Sequence, residues 1–545
     1  MMKKTVTLFL LSLLGLSAFA QDRLFVVTDR DSYISGDAVF CSVFVLDSDG
    51  AKAPFSATAY LELISTEGTV AEAKIGLFDG RGCGSFRIPS SAATGNYRLL
   101  AYTARSREND ADARILSVYN TTSSARVKDG VRPVKDLSAV EESLPDTGEL
   151  TLSLDPPAGP RQEGRLVLEG LNQNADLTVS IAHEDGLTRV RNIRLDRFLR
   201  EAVTPASNGS NGEYEGEIIT ASVEGFSQAA SVGETDVTAY LSTAGEPTQV
   251  YIGRASGNSQ LQFFTGNIYG DRELVCEVVS LYGQSAHISL KSPFRHPELT
   301  EPVPVLEICP TEKDALTSRK EALHTQSALR LDTLVRFLPK RKDLILDGHE
   351  HVRYHLEDYT RFPTVQEICT EFISELIFNR QGGKWVLRMN VRDAATGKRY
   401  SRENILVMMD GVVLTDLKKL ADFDAMLLED VDIYQGSIVI GEVPFNGLVN
   451  FVSKKNYVTA MDFPENTRMF DFKGVSYPVA YTGNVPGGKD LREVLLWLPV
   501  QEVKAGETLE LPFSAPEYGG NFTVKIQGLL DDGTPVCLER QFSIQ

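Results

Sequence analysis

From residue 23 to about residue 120 the chain alternates apolar and polar positions with a period of two. "VFCSVFVLDSDG" alternates and stops at an Asp/Ser/Gly turn, "AYLELISTEG" alternates and stops at Glu-Gly, and "GSFRIPSSAATGNYRLLAYTA" carries two more such runs around a Gly turn. Strand-sized runs separated by turn residues at regular spacing predict a β-sandwich. Residues 121–147 lose the pattern and read as a polar linker. Alternation returns in "LTLSLDPPAGPRQEGRLVLEG" and "ADLTVSIAHEDG", a sandwich segment over 148–203. It breaks at the Gly/Ser/Asn-rich 204–213, which reads as a flexible loop. From 214 to 297 six further runs, from "EIITASVEG" to "HISLKS", predict another β-sandwich, or the second half of one larger domain.

The period then changes. Thr311 and Asp314 resemble a capping box, and Leu316, Leu323, Leu329 and Leu334 follow at helical spacing up to Pro339. This is a helical connector over 298–340. A second helix is predicted from Val365 to Ile377, capped by Thr364 with Glu367 in the reciprocal position. Its apolar face is Val365, Ile368, Cys369, Phe372, Ile373, Leu376 and Ile377. "KWVLRMNVRD" is a strand, Ala394 to Gly397 turn the chain, and the pair is expected to continue into "ENILVMMDG". "NILVMM" is continuously apolar, as in a strand buried on both faces, and Asp410-Gly411 is a turn. Leu417, Leu420, Phe423, Leu427 and Leu428 give a helix, "VDIYQG" a strand, and "GLVNFVSKK" a last strand. This β–α–β–β order predicts a small α+β domain over 341–456.

Two stretches resemble known families. "DRDSYISGDAVFCSVFVLD", "AYLELISTEGT" and "IPSSAATGNYRLLAYT" are similar to the macroglobulin-type sandwich of the α2-macroglobulins. Tyr33, Gly36, Asp37, Gly95 and Tyr97 fill that pattern's places. Gly36 suits a positive φ at a turn, and Tyr97 can bury its ring and keep its hydroxyl wet. Residues 403–455 resemble the plug of TonB-dependent outer-membrane receptors: Asp410-Gly411-Val412, then Val431 to Gly436, then Asn446-Gly447-Leu448 running to Lys454. Where receptors carry a Tyr-Gly-Ser/Ala-Arg-type loop, this chain has "SIVIGEVPF". A receptor barrel needs on the order of twenty strands of ~9–11 residues. The 90 residues after Lys455 read instead as a C-terminal β-sandwich over 457–545.

The whole order resembles exported Bacteroidota-type macroglobulin-domain proteins that carry a plug-like domain and no barrel. The expected fold class is therefore mainly β: tandem macroglobulin-like or immunoglobulin-like sandwiches, the first over 21–120, plus one small α+β plug-like domain.

Lys3 and Lys4, the apolar run Val6 to Leu16 and Ala18-Phe19-Ala20 form a signal-peptide pattern over 1–20, with cleavage after Ala20. The expected location is exported and outer-membrane associated, without a transmembrane helix after cleavage. A net charge of −19 argues against nucleic acid, whose phosphates would repel it. The six cysteines show no CxxC spacing, which disfavours a zinc or thioredoxin-like site. Cys41 shares a face with Val39, Val43 and Val45 and reads as buried, while the compartment also permits a Cys41–Cys83 bridge.

Chemistry-bearing motifs are sparse. "DGHEHVRYH" gathers His349, His351 and His355, and on a strand the first two would share a face as a metal requires. The competing reading is a polar surface strand. "LDSDG" (46–50) reads as a hairpin turn before it reads as a calcium loop. HExxH, G-x-S-x-G, the P-loop and the CGEQ thioester are absent. The sequence thus assigns no catalytic, cofactor-binding or metal residue and no cofactor.

The expected function is a non-catalytic accessory subunit of an outer-membrane β-barrel assembly, in transport, secretion or barrel biogenesis, with a β-barrel protein as partner. The alternatives are a soluble macroglobulin-like protein that binds proteases or other substrates without a thioester, and a metal-dependent hydrolase using the histidine cluster.

Overall fold

The computed structural model describes residues 21–106, 112–122, 130–135, 145–188, 190–201, 212–224, 237–255, 260–279, 287–299, 302–329, 351–392, 396–480 and 489–545. The signal-peptide pattern, residues 204–211 of the expected loop and His349 lie outside them. The fold is mainly β. The chain crosses four times between two compact units, one of residues 1–216, 294–339 and 475–545, the other of 217–293 and 340–474.

The first unit opens with a nine-stranded sheet system in which Gly68–Phe78 turns the corner. This strand pairs with Thr58–Ser65 along most of its length and with Arg81–Arg87 only through Leu77 and Phe78. Folding back on itself, the system encloses Tyr33, Val39, Cys41, Val43, Val45, Leu61, Leu63, Ile75, Leu99 and Leu116. Gly36 has φ +103° at the turn. The fully buried Tyr33 donates its hydroxyl to Asp29 at 2.8 Å, and Tyr97 donates to the Ala93 carbonyl at 2.7 Å. Cys41 sits opposite Gly84, and Cys83 opposite Ser42, so the two thiols point to opposite faces of the sheet. All six cysteines are free, and the Cys41–Cys83 bridge is not formed. At 46–50, Asp47 accepts from the N–H groups of Asp49 and Ala51, an Asx turn that closes a hairpin.

The segments 148–203 and 457–545, read from sequence as two sandwiches, build one. Ala175–His183 lies between Val494–Val503 and Gly520–Leu530, with Pro535–Ile544 at the edge. Facing it, Glu163–Glu169 lies between Thr151–Asp155 and Leu509–Ser514. A strand buried along seven consecutive residues, as Ala175–His183 is, needs neighbours on both sides. Those neighbours come from more than 300 positions away, and alternation carries no record of partner identity.

The connector helix, Lys313–Leu329, is capped earlier than Thr311 and Asp314 suggest. Cys309 is the cap, and Glu312 reaches back to its N–H at 2.6 Å through a 3-10 turn, Pro310–Glu312. Pro310 lacks the N–H that a first helical position leaves unpaired, which places the start there.

The second unit has a seven-stranded sheet ordered His287–Leu290, Ile218–Glu224, Gln260–Phe264, Val250–Ala255, Val237–Thr243, Asp271–Val279, Thr467–Lys473. The last strand comes from the stretch assigned by sequence to the C-terminal sandwich. The α+β part has a mixed sheet ordered Val352–His355, Leu428–Tyr434, Leu448–Ser453, Leu406–Met409, Val412–Val413. Leu406–Met409 is buried throughout and runs parallel to Leu448–Ser453.

Two readings change in this part. Val365–Glu371 is a helix with the expected Thr364–Glu367 capping box, but Leu376–Gln381 is a strand. Gly382 and Gly383, both at positive φ, form a two-residue turn that pairs this strand with Lys384–Arg392. That turn matches the right-handed twist of a hairpin, and its ladder outweighs the helical spacing of Leu376 and Ile377. Lys384–Arg392 then pairs with Arg399–Arg402, and Leu406–Met409 leaves for the other sheet. The helix predicted around Leu417 to Leu428 is short, Lys418–Ala421, with a 3-10 turn before Leu428 enters its strand.

Candidate functional site

In the second unit, the Asp410-Gly411 turn is held by its own side chain. Asp410 (φ +48°) and Gly411 (φ +81°) are the two central residues of a hairpin that joins Met409 to Val412. The Asp410 carboxylate accepts from the Ser453 N–H and hydroxyl, both at 2.6 Å, and from the Val458 N–H at 3.1 Å. Asn450 accepts from the Gly411 N–H at 3.1 Å. A Cβ on Gly411 would stand 3.0 Å from Thr248 Oγ1 and 3.1 Å from the Thr243 carbonyl, a tight fit that adds to the strain of a side chain at positive φ. Asp410, Gly411, Asn450 and Ser453 are thus engaged in tying the ends of two parallel strands together.

What remains outward is the stretch "SIVIGEVPF". It forms a hairpin, Ile438–Ile440 with Val443–Phe445, turned at Gly441 (φ +57°). Ile438 and Phe445 pack inward against Leu406, Met408, Val413 and Leu448. Val439 points out and is 67% exposed. The sheet of the neighbouring strands ends at Arg399–Arg402, where Tyr400 is exposed and carries Arg402 over its ring. Both places are sheet edges, whose outer backbone groups can accept an added strand.

The histidine cluster is not assembled among the described residues. His355 Nδ1 lies 2.8 Å from Asp430, and His351 Nε2 lies 3.9 Å from Asp432, which Arg353 already engages with two hydrogen bonds.

Three other clusters, invisible in the sequence because their members lie far apart, are built in the structure. His183 Nδ1 is 2.9 Å from Glu493 Oε2, and the buried Arg319 binds both Asp185 and Glu493, tying the connector helix to the sandwich of its unit. Glu62, Glu72 and His296 converge with ligand atoms within 4.8 Å of one another. Glu277 lines a cleft with Thr415, Asp416, Lys419 and Asp462. Burial pushes its carboxyl up to about 7, although the Thr415 hydroxyl and N–H both donate to it, and nearby Asp416 adds to the rise.

No family model matches the chain, and no curated protein matches it. Solved structures similar to it include Salmonella α2-macroglobulin reacted with methylamine, at 10% identity and TM-score 0.25, covering 96% of this chain and 39% of that one. The native conformation of Escherichia coli α2-macroglobulin gives 10% identity and TM-score 0.24, covering 96% and 40%. Dimeric latent PorU from Porphyromonas gingivalis gives 12% identity and TM-score 0.17, covering 50% and 33%. The chain spans about two fifths of the length of these α2-macroglobulins. TM-scores this low carry no argument, so the functional reading rests on this chain's own residues.

Proposed function

We propose that this protein is a non-catalytic, exported, protein-binding component of an outer-membrane β-barrel assembly, and that residues 351–461 carry its partner contact. One observation carries the reading. The residues that resemble the receptor-plug signature, Asp410, Gly411 and Ser453, are consumed in the domain's own strand ties, while the departing stretch 437–445 is a hairpin with an apolar side chain facing outward. The signature supports a plug-like scaffold, and the departure supports a surface adapted to a barrel encoded elsewhere. The sandwiches would act as spacers and further contact surfaces.

The test is a mild-detergent pull-down of the tagged protein from native outer membranes, with mass spectrometry of what is recovered. Stoichiometric recovery of a β-barrel protein is expected, and it should fall at least tenfold for Val439→Lys combined with Tyr400→Glu while the melting temperature holds. Recovery of the tagged chain alone, from the soluble fraction, would refute the reading and favour the macroglobulin-like binder of soluble substrates.

A further inference from the structure

Glu62 and Glu72 stand directly opposite each other on the paired strands Thr58–Ser65 and Gly68–Phe78. Like charges in that position repel and destabilise a sheet. A third group closes on them: His296, on the chain that returns to this unit, places Nε2 2.6 Å from Glu72 Oε1. Two carboxylates and an imidazole converge where these two strands pair.

The three groups differ in freedom. Glu62 is fully buried, and its oxygens accept from the Tyr102 hydroxyl, from Thr69 Oγ1 at 3.0 Å, and from the backbone N–H groups of Arg295 and His296 at 3.0 and 3.2 Å. That carboxylate is oriented by its surroundings. Glu72 and His296 are 31% and 49% exposed and have room to adjust. His296 is presented by a backbone at φ +46°, and the Arg295 side chain beside it is anchored on the Thr103 and Ser106 carbonyls and over the Tyr102 ring. The donors around Glu62 hold it in place, and a metal reaching its Oε2 would take the position that the Thr69 hydroxyl now occupies, with Glu72 and His296 as the adjustable ligands.

We propose that Glu62, Glu72 and His296 bind one divalent transition-metal ion of the zinc class. Imidazole with carboxylate oxygens suits such ions, and three protein ligands leave a position for water. Two carboxylates balance the double charge of the ion. Ligands on one ion at ~2.1 Å bonds lie at most about 4.2 Å apart. The present spread of up to 4.8 Å therefore closes by small rotations of Glu72 and His296. Binding would pin residues 294–296 to the first sandwich. The proposal is independent of the barrel-partner reading.

The experiment uses the full chain stripped with chelator, titrated with zinc chloride by calorimetry and with cobalt(II) by visible absorption. One ion per chain is expected, with a rise in melting temperature and cobalt d–d bands of low coordination number. His296→Ala and Glu72→Gln should each weaken binding at least tenfold and abolish the cobalt bands. Both positions are partly exposed, and far-UV circular dichroism checks that the variants fold. Double replacement of His351 and His355 by Ala, and His183→Ala, should leave binding unchanged. Absence of stoichiometric binding in the parent chain, or full binding retained by His296→Ala, would overturn the proposal.

Discussion

Asp31, in the first unit, and Glu277, in the second, are both buried carboxylates, 8% and 4% exposed, and burial leaves them with opposite properties. Burial raises both. At Asp31 the rise is outweighed by Arg114 and then by Lys525, with hydrogen bonds from Arg114 and Asn192, and its carboxyl falls to about 2. At Glu277 burial wins, because Thr415 offers hydrogen bonds without charge and Asp416 adds repulsion, and its carboxyl rises to about 7. Each stitches remote segments together: Asp31 binds Arg114 and Lys525, and Glu277 binds Thr415. What separates them is whether the fold delivers a cation.

The consequences for stability have opposite signs. Asp31 binds its proton less tightly when folded than the ordinary 3.8. It therefore contributes about 2 kcal/mol above pH 4 that is lost as pH falls through 2. Glu277 binds its proton more tightly when folded than the ordinary 4.5. Its unit therefore loses up to about 3 kcal/mol as pH rises from 4.5 through 7. Strong acid threatens the first stitch, and a rise to neutral pH the second.

The sharpest way to break this contrast is Arg114→Met. It leaves Asp31 buried with only Lys525 at 3.3 Å as cation, and should cost about 3–5 kcal/mol in denaturant unfolding of the unit. A loss under 1 kcal/mol would mean that Asp31 does not depend on Arg114. Next in size, Glu277→Gln should stabilise the second unit by about 3 kcal/mol at pH 8, do little at pH 5, and flatten its melting temperature between those values. An unchanged pH profile would show that Glu277 ionises freely. Thr415→Val removes the hydroxyl that donates to Glu277 and should cost about 1–2 kcal/mol, most at pH 8, where the carboxylate is charged. Lys525→Met should matter least, about 1 kcal/mol or below, since Lys525 is a third exposed and water screens its 3.3 Å contact with Asp31. A loss matching that of Arg114→Met would make the lysine the principal counter-charge.

Neither carboxylate could be ranked from its neighbours in sequence. Asp31 sits in "DRDSY" and Glu277 in "VCEVV"; the deciding groups, Arg114, Lys525 and Thr415, are 83, 494 and 138 positions away. Chain distance likewise separates His296 from Glu62 and Glu72 in their convergence, whereas the histidines of "HEHVRYH" lie within seven residues of chain. Local features were legible. The Thr364–Glu367 cap, the Asp410-Gly411 turn and the burial of Cys41 each depend on a few consecutive residues and on the period of the pattern.

Turn chemistry, capping and alternation are short-range physics, and they determined here that the chain is mainly β with one α+β portion. Tertiary structure alone decided which strands share a sheet. It placed Ala175–His183 between Val494–Val503 and Gly520–Leu530, and gave Thr467–Lys473 to a sheet begun 250 residues earlier. The reason is physical: alternation specifies which side chains leave water, whereas backbone N–H and C=O groups are alike at every strand and accept whichever partner buries those side chains best.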